Sequence, residues 1–328
     1  MGLLIDHERA PSLISMPEAI EVLADAYRQL RAGTAVEADR NNLMLPIGWL
    51  RTMAAALLDD GLVGYKEFHR FNGRSRFAYH LFDAAEGEQL ALLDGRYLTA
   101  LRTGACGGLA VKLLTPRDSE VLGVIGSGAE ARAQVRGILA VRPIRHMYVY
   151  SRSAGNRESF CDEMAATHSG VQATPVEDPA AAINPADILV VATNTAGKGP
   201  ALLGEWLPQR RLHINSVGST LPNQRELDPE AWGRASCVVL DSDILLDESG
   251  DALAARAAGK LEGQEIITLA ELVSGRTPAS LTGVTLYKSA GSAIQDLAVA
   301  ARMYRNALRV AEECPTLRDF QSVRTLAT

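Results

Sequence analysis

Cysteine is scarce. The 328 residues hold four, Cys106, Cys161, Cys237 and Cys314, and none forms a CxxC pair. This spacing argues against a disulfide framework and a thiolate zinc centre, and it suits a reducing compartment; no metal site is expected. Positive charge is also short. Lys and Arg number 33 against 39 Asp and Glu, a formal net charge of -6 with no basic tail, which argues against a nucleic-acid partner. No run reaches the roughly 18 apolar residues of a membrane span, so no membrane partner is expected. Met1–Ala10 carries Asp6, His7, Glu8 and Arg9 and no apolar signal core. The expected location is cytoplasmic. Aromatic residues make up only 5% while hydrophobic residues reach 47%, a balance that suits an α/β protein, and the length allows two domains.

The most informative stretch follows an apolar run, Val121 to Ile125, that reads as a buried parallel strand. It breaks at Gly126-Ser127-Gly128-Ala129-Glu130-Ala131, and a helix is expected from Ala129 to Ala140. Gly126 suits the tight turn off the strand, Gly128 a close approach of backbone to ligand, and Ala131 close packing of helix on strand. The helix N-terminus then offers N–H groups and a positive dipole end to a pyrophosphate. Further short apolar strands are expected at Met147–Tyr150, Ile188–Ala192, Leu212–Val217, Cys237–Leu240 and Val284–Ser289. Helices are expected at Asn156–His168 and near Leu203–Leu207. Strands alternating with helices predict a Rossmann, doubly wound parallel sheet. Before it, strands at Arg51–Leu58, Leu62–His69, Phe77–Phe82 and Gln89–Leu93, with a capped helix from Ser15 to Leu30, predict a mainly antiparallel α+β unit. Gly33 ends that helix, and a polar loop with Glu37, Asp39, Arg40, Asn41 and Asn42 is expected after it. A long helix spans Tyr97–Leu114, and a last one runs from Ser292 to about Glu312.

Strand Met147–Tyr150 ends in Ser151-Arg152-Ser153, where a dinucleotide fold meets the adenosine ribose. An acid there would bond a 2′-hydroxyl; an arginine between two serines instead faces a 2′-phosphate, which favours NADP(H) over NAD(H). Outside this region three cations stand out: Arg40, Lys66 and Arg102. Lys66 lies in a largely apolar strand and Arg102 in an apolar helix. A buried charge is costly unless paired, and the partner is either a substrate carboxylate or a structural acid. Arg74 and Arg76 read as solvated loop arginines, and His80 as a structural histidine or a proton shuttle.

These pieces resemble the ornithine cyclodeaminase/mu-crystallin family. The matching runs are Leu98-Thr99-Ala100-Leu101-Arg102-Thr103-Gly104-Ala105, Gly126 to Ala131, Ile214-Asn215-Ser216-Val217-Gly218-Ser219, Arg225-Glu226-Leu227-Asp228, and Lys288-Ser289-Ala290-Gly291-Ser292-Ala293-Ile294-Gln295-Asp296-Leu297. The resemblance implies a homodimer, with residues 1–115 plus 298–328 forming the dimerisation and substrate domain and residues 116–297 the Rossmann NADP-binding domain. It implies that Arg40, Lys66 and Arg102 hold a substrate carboxylate, and that Arg102 and Thr103 reach the cofactor. Thr193, Val217, Ser219, Lys288 and Gly291 would line the nicotinamide side. The family's cyclodeaminases carry an aspartate shortly after the Val-Gly run, where this chain has Thr220. The resemblance is therefore to the ketimine reductase-like members.

The expected activity is NADP(H)-dependent reduction of a C=N bond next to a carboxylate, in a cyclic ketimine or an imino acid. Lys66 would be the catalytic proton donor if its neighbours lower its pKa. The alternatives are an amino-acid cyclodeaminase, an amino-acid dehydrogenase running oxidatively, and a non-enzymatic nucleotide-binding protein.

Overall fold

The computed structural model describes residues 2–195, 197–310 and 316–317. Local signals fix the first long helix, Met16–Ala32. The Ser15 side chain accepts from the Glu18 N–H, Pro17 occupies the first turn, and Gly33 closes the helix at φ 79°. After it the chain builds a sheet from β1 (Gly2–Ile5), β2 (Ala35–Glu37), β3 (Asn41–Leu45), β4 (Gly48–Leu57), β5 (Leu62–Phe71), β6 (Arg74–Asp83) and β7 (Gln89–Asp94). The order is β16-β1-β7-β6-β5-β4-β2, with β3 on β4 and the late strand β16 (Thr316–Leu317) on β1. All its pairs are antiparallel except β1 on β7. The strands from Gly48 onward match expectation. Of the stretch expected to be a polar loop, residues 38–40 are one, whereas Glu37 ends β2 and Asn41 and Asn42 open β3. Every residue of β3 is exposed, so it has no buried face to give it an alternating pattern.

The second sheet holds β8 (Val121–Ile125), β9 (His146–Tyr150), β10 (Gln172–Val176), β11 (Ile188–Val191), β12 (Leu212–Ser216), β13 (Ala235–Leu240), β14 (Ile266–Thr268) and β15 (Val284–Lys288). Its order is β10-β9-β8-β11-β12-β15-β13-β14 and every pair is parallel. The fold is thus α/β, a Rossmann-like parallel sheet beside a mainly antiparallel one. In this sheet two strands escaped the sequence reading, β10 and β14, as β1 did in the first sheet. Both lie at the sheet edges, and β10 contains Pro175 and has no fully buried residue. The helix expected near Leu203–Leu207 is a single 3₁₀ turn, Gly204–Trp206.

Two helices join the sheets. The Gly95–Leu114 helix is buried along most of its length and lies against the Ala129–Leu139 helix. They meet backbone to backbone: a Cβ on Gly104 would strike the Ala133 carbonyl, and one on Gly137 the Gly104 carbonyl. The Ala293–Leu308 helix follows β15 and returns to the first sheet, packing on β4, β5 and the Met16–Ala32 helix. The helix ends at Leu308, with Arg309 and Val310 in a turn, short of the expected end near Glu312; residues 311–312 and Cys314 lie outside the described residues.

Candidate active site

Strand parity sets the first wall of the site. In β4 the buried positions are Arg51, Met53, Ala55 and Leu57; in β5 Leu62, Gly64 and Lys66 are buried. Across the pair Met53 faces Lys66 and Arg51 faces Phe68. Two cations therefore point from adjacent strands into the interior. Lys66 is 1% exposed. Its ammonium lies 2.7 Å from Asp296 Oδ2, on the Ala293–Leu308 helix. Arg102 donates from Nε to the other oxygen of Asp296 at 3.0 Å and from Nη1 to Gln295 Oε1 at 2.8 Å. One fully buried carboxylate thus fixes both cations, so each has a structural acid as a partner within the fold. The pair still carries one net positive charge.

Burial drives the Lys66 pKa down to about 8; Asp296 opposes that fall, and the neighbouring Arg102 and Arg40 charges deepen it. The backbone closes tightly on this cluster. Gly291 has φ 80°, and a Cβ there would run into the Arg102 guanidinium. Asp241 Oδ2 holds this loop by accepting from Ser289 Oγ at 2.7 Å, Ala290 N at 3.0 Å and Gly291 N at 2.6 Å.

Lys66, Arg102, Thr103, Ser219, Thr220 and Gly291 line one cavity of about 290 Å³, together with Arg51, Phe68 and Phe77. A second cavity of about 660 Å³ runs along the end of the parallel sheet, lined by Gly126, Ser127, Gly128, Ala129, Ser151 and Arg152. Glu130, Thr193, Asn194, Val217 and Gly218 line both, so the two cavities share a wall. Gly126 at φ 119° makes the turn off β8 with no room for a side chain beside the Ala192 carbonyl. The Ala129–Leu139 helix starts at Gly128 without a side-chain cap, leaving its first N–H groups to a ligand. Ser127 Oγ donates to Ser151 Oγ at 3.0 Å, and the exposed Arg152 guanidinium donates to the Asn194 carbonyl at 3.2 Å. Glu130 is partly buried, and among the described residues its Oε2 has no hydrogen-bond partner; burial pushes its pKa up, against the Arg102 and Lys66 charges.

Beneath the shared wall lies a buried ionic cluster. Lys288 Nζ is 2.9 Å from Asp251 Oδ2 and donates to Ser216 Oγ and to the Gly218 carbonyl, at 2.9 and 2.7 Å. Glu226 accepts from the Thr193 N–H and, at 3.0 Å, from Thr193 Oγ1; it also takes Ser216 Oγ at 2.9 Å and Gly218 N at 2.6 Å. This cluster fixes the loop after β12, where Ser219 is held at φ 53°.

Most of the expected site residues meet at this junction, and three do not line it. Lys288 is fully buried in β15, a strand covered on both faces, and serves the cluster under the loop. Ser153 caps the Ala154–Thr167 helix, accepting from Asn156 N. Arg40 lies behind the 289–292 loop, donating to the Gly291 carbonyl and paired with Glu248 at 2.6 Å. His80 sits across from Tyr65, stacked on it at 4.6 Å, on the sheet face opposite Lys66. The sequence reading quoted Asp296 without a role and passed over Arg51. The signal for Arg51 was its parity with Met53, Ala55 and Leu57 in β4.

Comparisons agree with this architecture. The profile of the ornithine cyclodeaminase/mu-crystallin family matches residues 4–310. The chain is 32% identical to alanine dehydrogenase of Archaeoglobus fulgidus over 319 residues, covering 93% of this chain and 95% of that protein. It is 31% identical to the Delta(1)-pyrroline-2-carboxylate reductase of Bacillus cereus, with 93% and 97% covered. Among solved structures it resembles Thermococcus litoralis Delta(1)-pyrroline-2-carboxylate reductase in complex with NADH and L-proline. That likeness has a TM-score of 0.88 at 33% identity, over 94% of this chain and 98% of that one. With a family match over nearly its whole length, two adjoining cavities and a Rossmann-like sheet, this chain belongs to the ornithine cyclodeaminase/mu-crystallin family.

Proposed function

We propose that this protein is a nicotinamide-nucleotide-dependent imine reductase that acts on a C=N bond next to a carboxylate. The observation that carries the reading is the Lys66–Asp296–Arg102 cluster at the meeting of the two cavities. The glycine turn, the uncapped helix start and the length of the larger cavity fit a dinucleotide, whose nicotinamide supplies hydride at the shared wall. Arg102 and Lys66 hold the substrate carboxylate there and aim the imine carbon at that wall. Lys66, with a pKa of about 8, is protonated at neutral pH and gives a proton from Nζ to the imine nitrogen. NADP(H) is the preferred cofactor, because Arg152 is exposed beside Ser151 and no acid stands at the end of β9.

The cyclodeaminase reading loses support at Thr220, which lines the substrate cavity and brings no carboxylate. Glu226 also lines it, but its oxygens are committed to four hydrogen bonds. The dehydrogenase direction uses the same geometry, and the name of the Archaeoglobus fulgidus relative favours measuring it.

The two sheets correspond to two domains, the first completed by the Ala293–Leu308 helix. The assembly is a dimer through the first sheet, where Leu43, Met44, Leu45 and Ile47 are each more than 40% exposed. A solved archaeal alanine dehydrogenase dimer with bound NAD, with a TM-score of 0.88 at 30% identity over 97% of this chain and 99% of that one, supports a dimer, though not the face it uses.

The test is oxidation of NADPH and of NADH, followed by absorbance, against cyclic 2-carboxylate imines and mixtures of 2-oxo acids with amines. The reading expects turnover that Lys66→Ala removes while nucleotide binding persists. Ammonia release from a diamino acid without net NADPH use would restore the cyclodeaminase instead.

A further inference from the structure

The cavity holds a cation that the reading above leaves unused. Arg51 is 6% exposed, and its Nε donates to Asn42 Oδ1 at 2.6 Å. Its guanidinium carbon lies 5.5 Å from the centre of the Phe68 ring and 6.0 Å from that of Trp49. Among the described residues no carboxylate pairs with it. Glu248, whose charge bears on it, is already bonded to Arg40. Lys66 and Arg102 have their counter-ion inside the fold; Arg51 does not. An uncompensated buried cation is costly, and the cost is recovered when an anion binds.

Position separates Arg51 from the carboxylate already assigned. Arg102 lies on the helix packed against the Ala129–Leu139 helix, whose Glu130 lines the wall shared with the nucleotide cavity, and Lys66 is tied to Arg102 through Asp296; Arg51 is tied instead to Asn42 of β3. Lys66 and Arg102 thus stand nearer the point of hydride arrival, and the carboxylate beside the imine carbon belongs to them. Arg51 is the diagonal cross-strand neighbour of Lys66, since it faces Phe68 two residues further along β5. Such neighbours lie about 7–8 Å apart. The ring of Phe68 adjoins both, 5.5 Å from the Arg51 guanidinium carbon and 5.1 Å from Lys66 Nζ, and Phe77 stacks on it at 5.4 Å. The cavity therefore offers two anion sites along one short apolar wall.

We infer that Arg51 is a specificity-determining residue that binds a second carboxylate, and that the substrate is the imine of a short dicarboxylic 2-oxo acid. This rests on the imine-reductase reading and names its substrate class. The exposed Arg74 and Arg76, at the start of β6, are not needed for it.

The experiment compares matched pairs: 2-oxoglutarate against 2-oxovalerate, each with ammonium, and piperideine-2,6-dicarboxylate against piperideine-2-carboxylate. The native enzyme should favour a dicarboxylate by about tenfold or more in kcat/KM, mainly through KM. Arg51→Met should bring that ratio toward one, and Arg51→Lys should recover part of it. As a direct reading of binding, glutarate should bind the native protein more tightly than butyrate does, and Arg51→Met should abolish the difference. If the native enzyme turns over both members of each pair equally, the inference falls and the imine-reductase reading stands. Equal losses on both members in Arg51→Met would also overturn it, by assigning Arg51 to the first carboxylate or to the fold. If no imine is reduced at all, the parent reading fails, and this one with it.

Discussion

Replacing Asp296 by Asn tests the centre of the site. The native carboxylate is fully buried, 2.7 Å from Lys66 and 3.0 Å from Arg102. The amide keeps the shape and one acceptor but removes the charge, leaving two buried cations facing each other. Removing one partner of a buried ionic group costs about 3–5 kcal/mol. For a chain of this size that corresponds to a fall of about 10 °C in melting temperature. The deficit should depend on pH. Asp296 props up the Lys66 pKa, so in the variant that pKa falls below its native value of about 8. Between the variant's pKa and about 8 the folded variant sheds a proton that the folded parent keeps. Its stability therefore gains on the parent as pH rises, and the deficit shrinks. Calorimetric melts at pH 6 and pH 9 measure this, and imine reduction should lose its alkaline limb at a lower pH. Adding Lys66→Met should return part of the lost stability and none of the activity. An Asp296→Asn protein that melts with the native one at both pH values would refute the account of one carboxylate holding two cations.

Three further outcomes follow from the geometry. Arg152→Ala should weaken NADPH binding by about tenfold or more, with a smaller effect on NADH, in a fluorescence titration; equal effects would remove Arg152 from cofactor choice. Gly137→Ala drives a methyl group into the Gly104 carbonyl and should cost about 1–3 kcal/mol, read as a lower urea midpoint; an unchanged midpoint would mean the two helices separate freely. Burial holds the His213 pKa at about 4 against the usual 6.5. The unfolded chain therefore takes up a proton first, and up to about 3 kcal/mol of stability is lost as pH falls through that window. His213→Gln, which cannot take the proton, should flatten that part of the urea-midpoint profile, and an unaltered slope would exclude His213 as its source.

The parallel sheet was legible because each of its central strands is a short apolar run, and the glycine turn marks where the first one ends. Lys66 and Arg102 stood out as charges in apolar surroundings. Their partner did not, because Asp296 lies 194 residues from Arg102 and only the tertiary fold brings them together. Arg40 and Lys288 show the converse limit: each belongs to a segment that borders the site, and which side of the segment faces the cavity is decided by packing. Arg51 was readable in principle from the alternation along β4. Strand β3 was not, since an exposed strand has no buried face to leave a period in the sequence.

The buried charge triad also has a bearing on how the chain is made. Lys66 and Arg102 leave the ribosome early, and Asp296 arrives 194 residues after Arg102. At synthesis rates of about 5–20 residues per second that interval is about 10–40 s. Until then the first sheet lacks the helix that covers it, and Lys66 and Arg102 lack the acid that pairs with them. The nascent N-terminal segment therefore has an electrostatic reason to stay open while the second sheet is translated. A product truncated before Ala293 would retain the same two uncompensated charges, and it would stay open to proteolysis. Arrival of the Ala293–Leu308 helix and closure of the site are thereby a single event.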